Sequence, residues 1–316
     1  VALTLTEGNK YSRTELQREF IDRLVKADKV MSVIPFKTVL GNSLTYNTFT
    51  TRSTANWYDV GDTITESTPV MAQATAVLRQ LMHDMDINEF IKRTRSNIAD
   101  VRSEVLNEGV TVMKETFMDA FIYGDNSSNA KQPSGLQKLI TSTTYNTAHA
   151  GVTGSGTGTA LSMARLDVAL DLIPDDGAPS RYMLMSKKMR TLIGTYLTSI
   201  GSSFPRVPSA WGVPLDSYRN IPILTSDFIL NTETAASDAY TAKTGGSSTS
   251  IFVVTFGDTD VCGIQGTNNI ELEPIGQLET KDAERVRAKW YVSLMMQNLR
   301  TSVKVDGILT TGAVTA

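Results

Sequence analysis

A stripe of largely apolar residues recurs at intervals of three, four and seven in the middle of the chain: Ile98, Val101, Val105, Val112, Met113, Thr116, Phe117, Ala120 and Phe121. Asp100, Arg102, Glu104, Glu108, Lys114, Glu115 and Asp119 fall between them and form a polar face. Asn97 is a good N-cap, and Gly124-Asp125-Asn126 stops the pattern. The spacing predicts one helix of about 26 residues, roughly 40 Å long, against a usual length of about 11–12 residues. No catalytic group lies on it, so it reads as a girder. Val105, Val112, Phe117 and Phe121 are its expected buried spine.

Upstream, residues 12–30 predict a short helix. Ser12-Arg13-Thr14-Glu15 has the form of a capping box, and Leu16, Phe20, Leu24 and Val25 make the apolar stripe. Pro35 ends it. From Phe36 the period changes to two: Phe36 to Leu40 and Leu44 to Phe49 alternate around Gly41-Asn42, and Ala74 to Ile87 reads as a further strand run. Between these arms lies a polar tip, Thr50 to Thr68, which carries Arg52, Trp57 and Tyr58. A tip that long is uncommon inside a compact domain and suits an arm reaching a neighbour.

Downstream, residues 139–160 are rich in Thr, Ser and Gly and predict loop. Leu161 to Ile173 predicts a helix, Arg181 to Met185 a strand, and Ser186 the cap of a second helix closing near Gly201. Ile221 to Thr225 and Ile251 to Phe256 read as buried strands around a polar loop. Alternation of helix and strand over 137–265 indicates an α/β lobe. Near the end, Val286, Ala288, Trp290 and Val292 alternate with Arg285, Arg287, Lys289 and Tyr291. A last strand, Ser302 to Val305, ends at Asp306-Gly307. Both C-terminal strands are expected to cover the long helix. The fold class is α+β.

Composition narrows the function. With 316 residues, 41% hydrophobic and 20% charged, the chain has globular values and enough length for two lobes. A net charge of −3 offers no broad basic field for gripping nucleic acid. No apolar run is long enough to span a membrane, and the N-terminus lacks the blocks of a signal peptide. The single cysteine, Cys262, allows neither an intrachain disulfide nor a CxxC metal site and reads as a small buried hydrophobe. Val1 is consistent either with removal of an initiator Met or with a clipped longer segment.

Catalytic chemistry is poorly supported, and no cofactor is expected. His83-Asp84-Met85-Asp86 resembles a metal cluster, but on a strand His83 and Met85 share one face and Asp84 and Asp86 the other, so the ligands diverge. Gly154 to Gly158 precedes a helix but fits neither the dinucleotide pattern nor a P-loop, which needs a Lys. There is no GxSxG elbow. Trp57 and Tyr58 either fold over a local loop core or anchor on a neighbouring subunit; Trp211, in FPRVPSAWGVP, is open in the same way.

The order of parts resembles the major capsid protein of tailed bacteriophages, with the Hong Kong 97 fold. The local wording is similar too: Phe121-Ile122-Tyr123-Gly124-Asp125 followed by Pro133-Ser134-Gly135-Leu136, then the Arg-rich strand Arg285 to Tyr291 and the short strand Val303 to Ile308. The resemblance covers nearly the whole chain. It implies an N-terminal arm (1–35), an extended β-hairpin or E-loop (36–88), a P-domain with a spine helix (89–136), an α/β A-domain (137–265) and returning P-domain strands (266–316).

It also implies pentamers and hexamers closing into an icosahedral or prolate head in the virion, assembled in the host cytoplasm around double-stranded DNA held non-specifically. A portal protein would join it, with scaffolding and cement or decoration proteins as further partners. Arg52, Trp57, Tyr58 and Trp211 become candidate interface residues. Some members join the hairpin to a neighbour through a Lys–Asn isopeptide bond. Here Lys37 stands at the base and the tip from Thr50 to Thr68 has no Lys, so no crosslink is expected from the tip. One alternative shares the fold, an encapsulin-type nanocompartment shell. A more distant one is a soluble α/β enzyme.

Overall fold

A computed structural model describes residues 29–95, 101–140, 158–174, 180–208, 214–234, 243–266, 270–298 and 300–315. The expected helix at 12–30 lies outside these residues except for its end, where Val30–Ser32 forms a 3-10 turn. The Asn97 cap, Trp211 and most of the 139–160 loop also lie outside them.

The first strands are β1 (Phe36–Thr38), β2 (Ser43–Thr51), β3 (Val70–Val77) and β4 (Arg79–Asn88). β2 and β3 pair antiparallel from Ser43↔Val77 to Thr51↔Val70 and form the arm. The run read as one strand, Ala74 to Ile87, is therefore two. It breaks at Leu78, whose N–H donates to Asn42 O at 2.9 Å. β4 leaves the arm and runs beside a strand from the far end of the chain.

A short helix follows, α1 (Glu89–Arg95), and then the spine, α2 (Val101–Tyr123). At 23 residues the spine is roughly 34 Å long. Its buried line runs through Gly109, Met113, Phe117 and Phe121, one turn apart. Val105 is half-buried against the same core. Val112 corrects the expectation: it is 37% exposed, because it sits about 100° round the helix from Met113. Met118, Ile122 and Tyr123, which the stripe left out, are buried. The last two turns are covered on two sides, by a sheet below and by the lobe beside them.

The sheet below is built on β12 (Ala283–Met296). One edge of β12 pairs with β4, from Ala283↔Asn88 to Val292↔Arg79. Its other edge pairs first with β11 (Glu271–Gln277) and then with β10 (Val261–Gln265), which carries β1 in parallel. The period-two reading of β12 matches the burial: Val286, Ala288, Trp290 and Val292 are buried, and Arg285, Arg287, Lys289 and Tyr291 are partly exposed. The Trp290 and Phe117 rings pack at a tilt with centroids 4.7 Å apart, and the Phe36 ring lies 5.8 Å from Trp290. β10, expected within the lobe, belongs to this sheet instead.

After the spine come α3 (Leu136–Leu139), α4 (Met163–Asp171), β5 (Arg181–Met185), α5 (Lys187–Ser199), β6 (Arg206–Val207), β7 (Leu215–Tyr218), β8 (Ile221–Thr225) and β9 (Ser248–Thr255). Ser186 caps α5, its Oγ accepting from Met189 N at 3.3 Å. The lobe sheet has the order β13-β9-β5-β8-β7-β6, where β13 is Val303–Leu309. The last strand thus corrects a second expectation: it pairs with β9 rather than covering the spine, and it continues past Gly307 through a bulge. Ile251 and Val253 of β9 pack with α4 and α5, while Phe252 and Val254 join the core shared with the spine. One apolar core therefore runs from the β12 sheet through α2 into the lobe.

The turn after the spine explains the Gly-Asp and Pro-Ser-Gly-Leu wording. Gly135 N donates to Gly124 O at 2.8 Å, and the two backbones touch. A Cβ on Gly135 would lie 2.5 Å from Ala120 O and 2.7 Å from Gly124 N. Gly135→Ala is expected to destabilise the subunit by about 3 kcal/mol through backbone overpacking, measured by urea denaturation. A change within about 0.5 kcal/mol would mean that the turn yields.

Candidate subunit interface

The β2–β3 arm has an anchored base and a bare tip. At the base, Leu44, Tyr46, Ala76 and Leu78 pack with Val39, Cys262, Ile264 and Met295 on the outer side of the β10–β12 sheet. Burial pushes the Cys262 thiol up to about 11, which suits a packing role. Beyond the base, the residues from Thr51 to Gln73 whose side chains are described are all exposed. Nine residues of β2 extend the arm by about 30 Å.

The tip is ordered by its own polar groups. Asp59 N donates to Asp62 Oδ2 at 2.8 Å and Asp62 N to Asp59 O at 3.1 Å. Gly61 sits at φ +96°, where a residue with a Cβ is strained. Tyr58 Oη accepts from Thr65 N at 3.0 Å. Trp57 and Val60 are fully exposed, Ile64 nearly so, and Val70 and Met71 half-exposed. Arg52 is exposed beside them. The structure thus brings Arg52, Trp57 and Tyr58 onto one arm and adds Val60, Ile64, Val70 and Met71, which the sequence reading had not singled out.

The acids beside His83 have another use. Arg285 holds Asp86 through two hydrogen bonds of 2.6 and 2.8 Å, and Arg287 holds Asp84 through two of 2.6 and 2.9 Å. These bonds keep both carboxyls below the ordinary aspartate range. Met85 turns inward, under Gly109 of the spine. The signal was present in the sequence: Asp-x-Asp on one strand and Arg-x-Arg on another, each with one outward face. At the start of the spine, Glu284 ties Arg102 at 2.9 Å and Lys92 at 3.1 Å. Among the described residues, no group of three or more His, Cys, Asp or Glu is placed to hold a metal, and no helix is long and apolar enough to cross a membrane.

Known proteins share this architecture. The encapsulin of a holo-SrpI complex from Synechococcus elongatus superposes with a TM-score of 0.70 at 16% identity, covering 93% of this chain and 92% of that one. The capsid of a native GTA particle gives 0.62 at 15% identity, over 91% and 92% of the two chains. The capsid of the cyanophage P-SCSP1u gives 0.57 at 17%, over 89% and 88%. A search of curated proteins finds no match. The model of the phage capsid family matches residues 11–246, well over half the chain. The chain therefore belongs to the phage capsid family and is a capsid protein of the Hong Kong 97-like fold, a structural subunit and not an enzyme.

Proposed function

We propose that the chain is the major capsid protein of a tailed-phage head, forming pentamers and hexamers that close into an icosahedral or prolate shell around double-stranded DNA. The observation that carries this reading is the bare arm: Trp57, Val60 and Ile64 face solvent at the end of a ribbon whose base is anchored. Large apolar side chains held out in this way find cover on another subunit. In the family's terms residues 1–35 are the N-arm, 36–88 the E-loop, 89–136 and 266–316 the P-domain, and 137–265 the A-domain, which gathers round the local symmetry axes. The β4, β10 and β13 pairings trade single strands between these segments. A net charge of −3 suits a wall that contains DNA without gripping it. A portal protein is the partner that this role calls for, scaffolding and cement or decoration proteins are optional additions to it, and the host cytoplasm is the proposed place of assembly.

A second reading is supported by the encapsulin superposition: a nanocompartment shell built on the same subunit. Expressing the chain alone and imaging the product separates the two. The phage reading expects capsomers, sheets, tubes or shells of mixed size that need further components for uniform closure. Uniform small closed shells favour the compartment.

A further inference from the structure

The polar groups at the junction between spine and lobe form one buried chain. Tyr123 ends the spine, and its Oη donates to Glu233 Oε1 at 2.5 Å while accepting from Leu230 N at 2.8 Å. Ser250 of β9 donates to Glu233 Oε2 at 2.5 Å and accepts from Gln137 Nε2 of α3 at 2.9 Å. Lys304 of β13 donates to Gln137 Oε1 at 3.1 Å and to Gln137 O at 3.2 Å, and lies 3.6 Å from Asp306 Oδ2. Glu233, Gln137 and Lys304 are fully buried, and Asp306 nearly so. The Glu233 backbone is fixed by exchange of hydrogen bonds with Ser248.

We propose that Glu233 is a protonation-operated latch, holding the spine helix to the lobe when its carboxyl is neutral and loosening them when it ionises. The geometry leaves the ion poorly compensated. Among the described residues no cation reaches either oxygen of Glu233 within ion-pair distance; both partners are neutral hydroxyls. The fully buried cation, Lys304, is shared with a second carboxyl, Asp306. Arg165 also acts on Asp306 but is only half-buried, and Lys243 is engaged by Asp119 on the spine while lying 5.9 Å from the Tyr123 ring centroid. Hydroxyl rotors can reverse, so a protonated Glu233 keeps its contacts by donating to Ser250.

Burial pushes the Glu233 carboxyl up to about 7 from an ordinary 4.5. A raised acid contributes stability that is fully present below the unfolded value and is lost as pH rises to the folded one. The loss therefore falls between pH 4.5 and about 7, at about tenfold in the opening equilibrium per pH unit. Burial holds Lys304 below its ordinary range. Its contribution grows with pH and opposes that of Glu233, so the comparison with Glu233→Gln isolates the latch.

The test is hydrogen exchange, corrected for intrinsic rate, in 117–123, 136–140 and 226–234 of assembled and dissociated protein from pH 5 to 8. Wild type is expected to lose protection in these segments, relative to Glu233→Gln, by at least tenfold up to pH 7, then level off. Parallel profiles for the two proteins would overturn the latch. If the variant fails to fold, infrared spectra of the wild type decide. A buried neutral Glu carbonyl band at pH 6 that vanishes by pH 8 supports the proposal, and no such band at pH 6 refutes it. Dissociated subunits also show the effect, so its failure is separable from failure of the shell reading.

Discussion

Phe117→Asp yields no folded subunit and no particles. Phe117 is 2% exposed, and its ring meets Trp290 at 4.7 Å, Phe36 at 5.9 Å and Phe121 at 6.3 Å. These aromatic contacts join the spine to β1 and β12. An aspartate there loses the packing of a large ring, about 3–5 kcal/mol. It also buries a carboxylate, at several kcal/mol more, or forces it to stay protonated. A domain is stable by about 5–15 kcal/mol, so the sum consumes most or all of it. Phe117→Leu keeps an apolar side chain, costs about 1–2 kcal/mol, and still assembles. Soluble yield, circular dichroism and electron microscopy read the outcome. Normal particles from Phe117→Asp would show that the buried face is misassigned.

Removing the apolar tip separates folding from assembly. In the triple variant Trp57→Ala, Val60→Ser, Ile64→Ser, the dissociated subunit is expected to unfold at the wild-type temperature, since these side chains touch little within their own chain. Assembly is expected to fail at concentrations where wild type forms shells. A buried tryptophan at an interface is worth about 2 kcal/mol or more, roughly thirtyfold in affinity for each contact, and the proposed shell repeats that contact at every subunit. Light scattering and sedimentation measure the threshold concentration. An unchanged threshold with an unchanged melting temperature would remove the tip from the interface.

The tip was legible because Trp57 and Tyr58 stand in a long polar stretch, and β12 because its alternation continues from Arg285 to Val292. What the sequence hid depends on partners far along the chain. The split of Ala74–Ile87 is a slip of phase: Ala74, Ala76 and Leu78 face inward on the arm, whereas Leu81, Met85 and Ile87 face inward on the β12 sheet. Val77-Leu78 and Leu81-Met82 are apolar on both phases and hide the slip, so the run reads as one strand. Val303–Leu309 carries Lys304 and Asp306, which look like solvent-facing residues until β9 and α3 bury them together. Val112 is exposed because the expected stripe merged two neighbouring lines of the helix, and of the two only the line through Met113, Phe117 and Phe121 faces the core. Glu233 gave no signal at all; it lies in a polar run, NTETAASDAY, and only the fold brings it to Tyr123 and Ser250.

The central claim is that the arm of one subunit is completed by the body of another. Cryo-electron microscopy of assembled particles tests it directly. The expected map shows the tip from Arg52 to Ile64 ordered, with Trp57 buried against an adjacent subunit. A tip standing in solvent in the assembled particle, or a chain that stays a 34.4 kDa monomer at high concentration, would contradict it.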